Sequence, residues 1–347
     1  MNMINNKNIR LTVAIPVYNS AKHIRNTLDS IINQTKDIEQ EIEIVVSDNA
    51  STDETQKIIE NYQKQYPFIR YFRNQKNLGF DKNVDLLFKR AQGKYVWTLG
   101  DKEILKPQIL YEILQKIKND YFSNILINFE IYSEVYQKKE VENNFGINKN
   151  IVFYSKNDFF KNFKFGITPL SANIILKKAW EQVDKNPLLV EGWCHVERII
   201  DILSHPNWEK SLYIGKICFT LMRDIDGWWT YDWLLFHNTL TLRTIIKNTK
   251  YKGWDKNCTG ALLSEIDNSL IGIIKEAKKN KMKLNFNIIK EVINTISERK
   301  LFSLLILFLI SIPNSFYILA LKMHKNKLIR MCYRTLKNDL LNVIHKS

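Results

Sequence analysis

The feature that most constrains the fold is an alternation within the first hundred residues. Short, mostly apolar runs rich in β-branched side chains, at 11–17, 42–46, 69–72 and 95–99, are separated by segments of helical period. Between the first two runs, Ile24, Leu28, Ile31 and Ile32 recur at helical spacing; after the second, Ile58, Ile59 and Tyr62 share one face; residues 81–92 form a third helical stretch. Strands of this kind, alternating with helices, predict a parallel sheet covered on both faces. The expectation is an α/β, Rossmann-like domain with a mostly parallel central sheet. In such a sheet ligands bind beyond the carboxyl ends of the strands. Three polar loops then converge there: Tyr18-Asn19, the stretch 48–53, and 100–103.

The second half is harder to read. Residues 126–154 are mixed, 172–176 suggests another strand and 195–203 a helix. Beyond Trp228 the pattern turns helical, at 231–248, 260–280 and 286–298. A boundary near 225 is expected, giving a domain at 1–225, with halves at about 10–110 and 111–225, and a helical, basic region at 226–347. Within that region 301–321 is apolar but interrupted by Pro313, Asn314 and Ser315, and it is flanked by Arg299, Lys300, Lys322 and Lys325. From 281 onward there are 12 Lys or Arg and 3 Asp or Glu. Such a segment suits docking on an anionic membrane surface; a buried helical hairpin is the alternative, and a transmembrane span ranks behind both.

Charge and cysteine usage narrow the classes. With 51 Lys and Arg against 36 Asp and Glu, the chain carries +15 and suits anionic partners. No helix-turn-helix, zinc-finger or RNA-recognition motif appears, so no nucleic acid is expected. No GxGxxG follows the first strand, which argues against a dinucleotide-dependent oxidoreductase. The 4 cysteines, Cys194, Cys218, Cys258 and Cys332, are scattered, as expected in a reducing compartment. The polar first ten residues lack an apolar signal core, so the expected location is the cytoplasm, with peripheral attachment to the inner membrane face.

The strand-end loops, read together, resemble glycosyltransferase family 2 enzymes of the GT-A fold. The matching residues are Val13-Ala14-Ile15-Pro16-Val17-Tyr18-Asn19, Ile44-Val45-Val46-Ser47-Asp48-Asn49-Ala50-Ser51-Thr52-Asp53, Asn77-Leu78-Gly79 with Asn83, Gly93-Lys94-Tyr95-Val96, and Leu99-Gly100-Asp101-Lys102-Glu103 with Pro107. The resemblance implies transfer of a sugar from a nucleotide-sugar donor to a glycan or lipid-linked glycan acceptor, in bacterial-type surface polysaccharide or lipooligosaccharide synthesis, with inversion at the anomeric carbon. It assigns the donor nucleotide to Pro16, Tyr18, Asn19, Asp48, Asn49, Lys82, Asp101 and Lys102. Asp48 would accept a hydrogen bond from a pyrimidine ring N–H, while Ser51, Thr52 and Asp53 serve mainly as helix caps.

Gly100-Asp101-Lys102-Glu103 stands where the family carries an acidic DxD-type cluster that holds a divalent cation. Asp101 and Glu103 supply oxygen ligands suited to Mg2+ or Mn2+. Lys102 departs from the pattern; its ammonium could neutralise the diphosphate and make the metal dispensable. An inverting displacement also needs a general base. The family places one in the neighbourhood of residues 191–197, where Glu191 and His195 are the candidates and Glu197 a third. Trp193, Trp228, Trp229 and Trp233 are candidates for sugar stacking, but tryptophans in a helical region are more often core. The rival reading is a non-catalytic sugar-nucleotide binder, or a structural partner within a glycan-assembly complex.

Overall fold

The structure, a computed structural model, describes residues 8–134, 137–183 and 192–223. The first half is β1 (Leu11–Val17), α1 (Ile24–Ile32), β2 (Ile42–Asp48), α2 (Thr55–Gln65), β3 (Ile69–Arg73), α3 (Phe80–Arg90) and β4 (Tyr95–Thr98). Then come β5 (Ile104–Leu105), α4 (Ile109–Asn119), β6 (Asn124–Ser133), β7 (Lys138–Val141), β8 (Ile151–Phe153), α5 (Lys156–Phe163), β9 (Asn173–Leu176), α6 (Lys177–Gln182), α7 (Cys194–Ser204) and β10 (Ser211–Arg223).

One sheet joins them in the order β3-β2-β1-β4-β9-β6-β10-β5, with β7 beside β6 and β8 beside β10. β3, β2, β1 and β4 are mutually parallel. β9 runs antiparallel to both β4 and β6, so β6 and its parallel neighbour β10 point the same way as the first four strands. The expected α/β architecture with a mostly parallel sheet is therefore observed. Its consequence for function is that the carboxyl ends of β1, β2, β4 and β6 lie along one edge.

Burial explains why the apolar runs were legible. Every residue of β2 is buried, and β1 is buried except at Pro16, as expected for strands covered on both faces. α1 inserts Ile24, Leu28 and Ile31 into the core. Phe88 of α3 stacks face to face on Trp180 of α6, with centroids 3.7 Å apart, tying the two halves together.

β10 gave no clear signal in the sequence, and its geometry shows why. Its pairing with β6 shifts register between Ile214 and Ile217 and again between Ile217 and Phe219. A bulge around Gly215 breaks the period-2 pattern by which a strand is read.

Gly93 marks a close approach of backbones beneath β4. Its N–H donates to Thr12 Oγ1 at 2.9 Å, and a Cβ there would lie 2.6 Å from the Thr12 backbone nitrogen. Gly93→Ala is therefore expected to lower stability by about 2 kcal/mol through overpacking, read from the denaturant midpoint at unchanged slope.

Cys194 and Cys218 are buried free thiols. Among the described residues no helix is long and apolar enough to cross a membrane. The boundary near 225, the helices at 231–298, Trp228, Trp229, Trp233, the 301–321 segment, Cys258 and Cys332 all lie outside the described residues.

Candidate functional site

The strand-end loops are bonded to one another. After β1, Asn19 adopts a left-handed φ of 52°. Its side-chain oxygen accepts from the Thr52 N–H at 2.8 Å, and its own N–H donates to Ser51 Oγ at 2.9 Å. Ser20 N–H donates to Thr55 Oγ1 at 2.7 Å, and Ala21 N–H to Asp53 Oδ2 at 3.0 Å. Thr27 of α1 donates to the Asp101 carbonyl at 2.9 Å, fixing the loop after β4 against the same helix. Ser51 and Thr52 thus cross-link loops rather than cap α2, whereas Asp53 Oδ1 accepts the Thr55 N–H at 3.0 Å in the first turn of that helix.

Asp48, at the end of β2, is fully buried. Its Oδ1 accepts from Ser51 N–H at 2.8 Å and Ser51 Oγ at 2.6 Å, while Oδ2 accepts from the Tyr71 hydroxyl at 2.6 Å. Arg73 Nε stands 3.8 Å away. Burial and this carboxylate raise the Tyr71 phenol above its ordinary value. Asn49 binds the loop before α3: its amide donates to Asn77 Oδ1 at 2.8 Å, and its oxygen accepts from Leu78 N–H at 2.9 Å. Pro16 is half-buried, Tyr18 is 42% exposed at the mouth, and Lys82 is exposed on the first turn of α3. The described structure therefore gathers Pro16, Tyr18, Asn19, Asp48 and Asn49 at one sheet edge.

The turn after β4 divides its charges unequally. Glu103 folds back beneath Gly100, whose N–H donates to Glu103 Oε2 and to Ser171 Oγ, each at 3.0 Å. A Cβ on Gly100 would meet Glu103 Oε1 at 3.0 Å, so the glycine leaves room for this fold-back. Burial pushes the Glu103 carboxyl up to about 7, aided by the Asp101 charge. Burial also raises the Asp101 carboxyl, against the charges of Lys102 and His23, which hold it down. Among the described residues no group of three His, Cys, Asp or Glu side chains is placed to hold a metal.

His195, in the first turn of α7, is 7% exposed. Its Nε2 lies 2.8 Å from the Thr168 carbonyl, an acceptor, so Nε2 carries the proton and Nδ1 presents a lone pair. Nδ1 is buried with no partner among the described residues, and burial keeps the ring's proton affinity below its ordinary value. The ring stacks on Trp193 at 6.0 Å and meets Phe80 edge-on at 5.8 Å. Trp193 is 4% exposed, so its face is not open to a sugar. The stretch 168–171 carries both the His195 contact and the Ser171 hydroxyl that holds Gly100, joining this end of α7 to the turn after β4. Glu197 is also buried, while Glu191 lies outside the described residues.

Sequence reasoning missed Ser171, Tyr71, Thr27 and Asp81. The first three act through partners more than twenty residues away and leave no local pattern. Asp81 had one signal, an acidic side chain in the first turn of α3 directly after Gly79.

Comparison with known proteins agrees with this geometry. Residues 12–183 match the family model described as Glycosyl transferase family 2. The chain is 41% identical over 101 residues to the abequosyltransferase RfbV of Salmonella typhimurium, covering 29% of this chain and 30% of that protein. It is 32% identical over 162 residues to the GalNAc(5)-diNAcBac-PP-undecaprenol beta-1,3-glucosyltransferase of Campylobacter jejuni, covering 45% and 52%. The matches thus span from under a third to about half of those relatives' length. The crystal structure of S. aureus TarS 1-349 in complex with UDP-GlcNAc is similar with a TM-score of 0.61 at 15% identity, covering 84% of this chain and 80% of that one. At that identity the likeness speaks for the fold, which is of the GT-A type.

Proposed function

We propose, on the premise that this chain belongs to glycosyltransferase family 2 through residues 12–183, that it moves a sugar from a nucleotide-sugar donor to a glycan or lipid-linked glycan with inversion. One observation carries the reading. The loops after β1, β2 and β4 are cross-linked by Asn19, Ser51, Thr52 and Thr27 at the carboxyl edge of a parallel sheet. That is where such folds bind nucleotides. The relatives named for abequosyl transfer and for glucosyl transfer to an undecaprenol-linked glycan support the substrate classes.

In this reaction the acceptor oxygen attacks the anomeric carbon, the bond from that carbon to the diphosphate breaks, and the acceptor proton passes to a base. The buried Nδ1 lone pair of His195, oriented by the Thr168 carbonyl, suits that base; Glu191 is the other candidate. Pro16, Tyr18, Asn19 and Lys82 line the donor side, with Asp48 and Asn49 holding the loops that meet the base and ribose.

Asp101 offers a hard oxygen on the turn after β4, and Mg2+ commonly takes one or two carboxylates plus substrate phosphates. Asp101 therefore fits Mg2+ or Mn2+, whereas Glu103 is engaged beneath Gly100. When bound, the cation supplies Lewis-acid stabilisation of the leaving diphosphate; Lys102 adds positive charge on the same turn. The basic 226–347 region, with 301–321, would bring the chain to an anionic membrane face bearing a lipid-linked acceptor.

A thermal-shift screen of UDP-, GDP-, CDP- and dTDP-sugars, with Mn2+ and with EDTA, tests the donor site. One nucleotide class at a hundredfold excess over Kd should add about 2.7 kcal/mol. Loss of that shift with EDTA would assign a metal to Asp101; its persistence would assign the diphosphate to Lys102. No shift with any nucleotide sugar would sink the proposal. The replacement of an acidic residue by Lys102 favours, as a second reading, a non-catalytic binder; free sugar released from the donor without acceptor excludes it.

A further inference from the structure

The side chain that joins the donor half to α7 is Asp81, which the sequence reading assigned no role. It stands 8% exposed in the first turn of α3, two residues after Gly79. Its Oδ2 accepts the Gly192 N–H at 2.5 Å and its Oδ1 the Cys194 N–H at 3.0 Å. The Cys194 thiol in turn points at the Asp81 carbonyl, 3.9 Å away. Two helix N-termini, those of α3 and α7, thus share one carboxylate. Both present partial positive charge, which favours an anion between them.

The arrangement brackets His195. Gly192 has a left-handed φ of 86°, and Trp193, the N-cap of α7, forms no side-chain cap hydrogen bond. Asp81 fulfils that capping role from another helix. The next residue after Cys194 is His195, whose Nδ1 is buried without a partner among the described residues and whose Nε2 is fixed by Thr168. A buried nitrogen left unpaired costs free energy unless a ligand completes it.

We propose that Asp81 is a positioning residue for the transfer reaction: it holds the first turn of α7 against the donor half and so aims the His195 imidazole. This rests on the reading of His195 as general base. Among the described residues the Asp81 charge acts on His195, while Asp85 and Arg198 act on the neighbouring Cys194. A helix cap alone would affect stability; the Asp81 charge should also change how tightly His195 holds a proton.

The test is the imidazole titration of the full-length protein by NMR, with the His195 signal identified by its absence in His195→Gln. Asp81→Asn should lower the proton affinity of His195 by about threefold or more, moving its midpoint to lower pH. Asp81→Ser, a neutral residue that still caps a helix, should do the same and serves if the Asn variant folds poorly. Turnover is followed in parallel as nucleoside diphosphate released from UDP-, GDP-, CDP- and dTDP-sugars. The acid limb of its pH profile should move with the titration, while donor affinity stays within about twofold of the unsubstituted protein. Unshifted titration in both neutral variants, with His195→Gln inactive, would overturn the positioning role alone. Full activity in His195→Gln would overturn the base assignment and this proposal with it.

Discussion

Asp101→Asn should slow sugar transfer by about three orders of magnitude while leaving the folded state as stable as before, or slightly more so. Removing a group that stabilises developing transition-state charge typically costs 10² to 10³ in rate. On the proposed reading, Asp101 is the carboxylate left to hold a cation on the leaving diphosphate, since Glu103 is engaged by Gly100. The stability argument runs the other way. Burial raises the Asp101 carboxyl, so its ionised form is disfavoured in the folded chain above its ordinary value. A neutral amide of the same shape relieves that cost. Single-turnover rates with saturating donor, beside a denaturant melt, separate the two effects. Wild-type turnover in Asp101→Asn would remove Asp101 from the chemistry, and a large loss of stability would make its role structural.

Glu103→Gln should act instead on stability, and through pH. Burial lifts the Glu103 carboxyl to about 7 from an ordinary 4.5, with the Asp101 charge contributing. Its folded-state affinity for a proton therefore exceeds that of the unfolded chain. The resulting stabilisation is complete below about 4.5 and disappears as pH rises through about 7. Glutamine cannot ionise and so escapes the cost of the buried charge. The variant should match the wild type near pH 4.5 and exceed it by about 3 kcal/mol at pH 8, the equivalent of the shift at 1.36 kcal/mol per unit. Melting both proteins across this range at fixed ionic strength checks it. Parallel curves would mean that Glu103 is already ionised in the folded state at neutral pH.

Together these expectations describe a turn that tolerates electrostatic cost where chemistry is expected. Real proteins depart from local optimality at functional sites. Gly100 is the residue that permits it, because any Cβ would crowd the Glu103 carboxylate.

Much of the first half, residues 10–110, was legible in the chain itself. The run from Leu11 to Val17 and the wholly buried strand ending at Asp48 announce themselves because both faces of a parallel strand need apolar side chains. The α1 stripe of Ile24, Leu28 and Ile31 is similarly local, and the loops at Tyr18, Asp48 and Asp101 follow from where those elements stop. The second half was less legible. The bulge near Gly215 breaks the alternation of β10, and β9 is inserted antiparallel between two strands distant from it in sequence.

The sequence by itself thus determined the alternating elements, the edge at which they open and the residue types gathered there, since each depends on neighbours within a few positions. Only the tertiary structure decided what those residues do. It engaged Asp48 with Tyr71 and Ser51, turned Glu103 inward beneath Gly100, gave Asp81 to the start of α7 and buried one nitrogen of His195 without a partner among the described residues. Those outcomes depend on hydrogen bonds whose partners are brought together by the sheet order, and no periodicity along the chain encodes them.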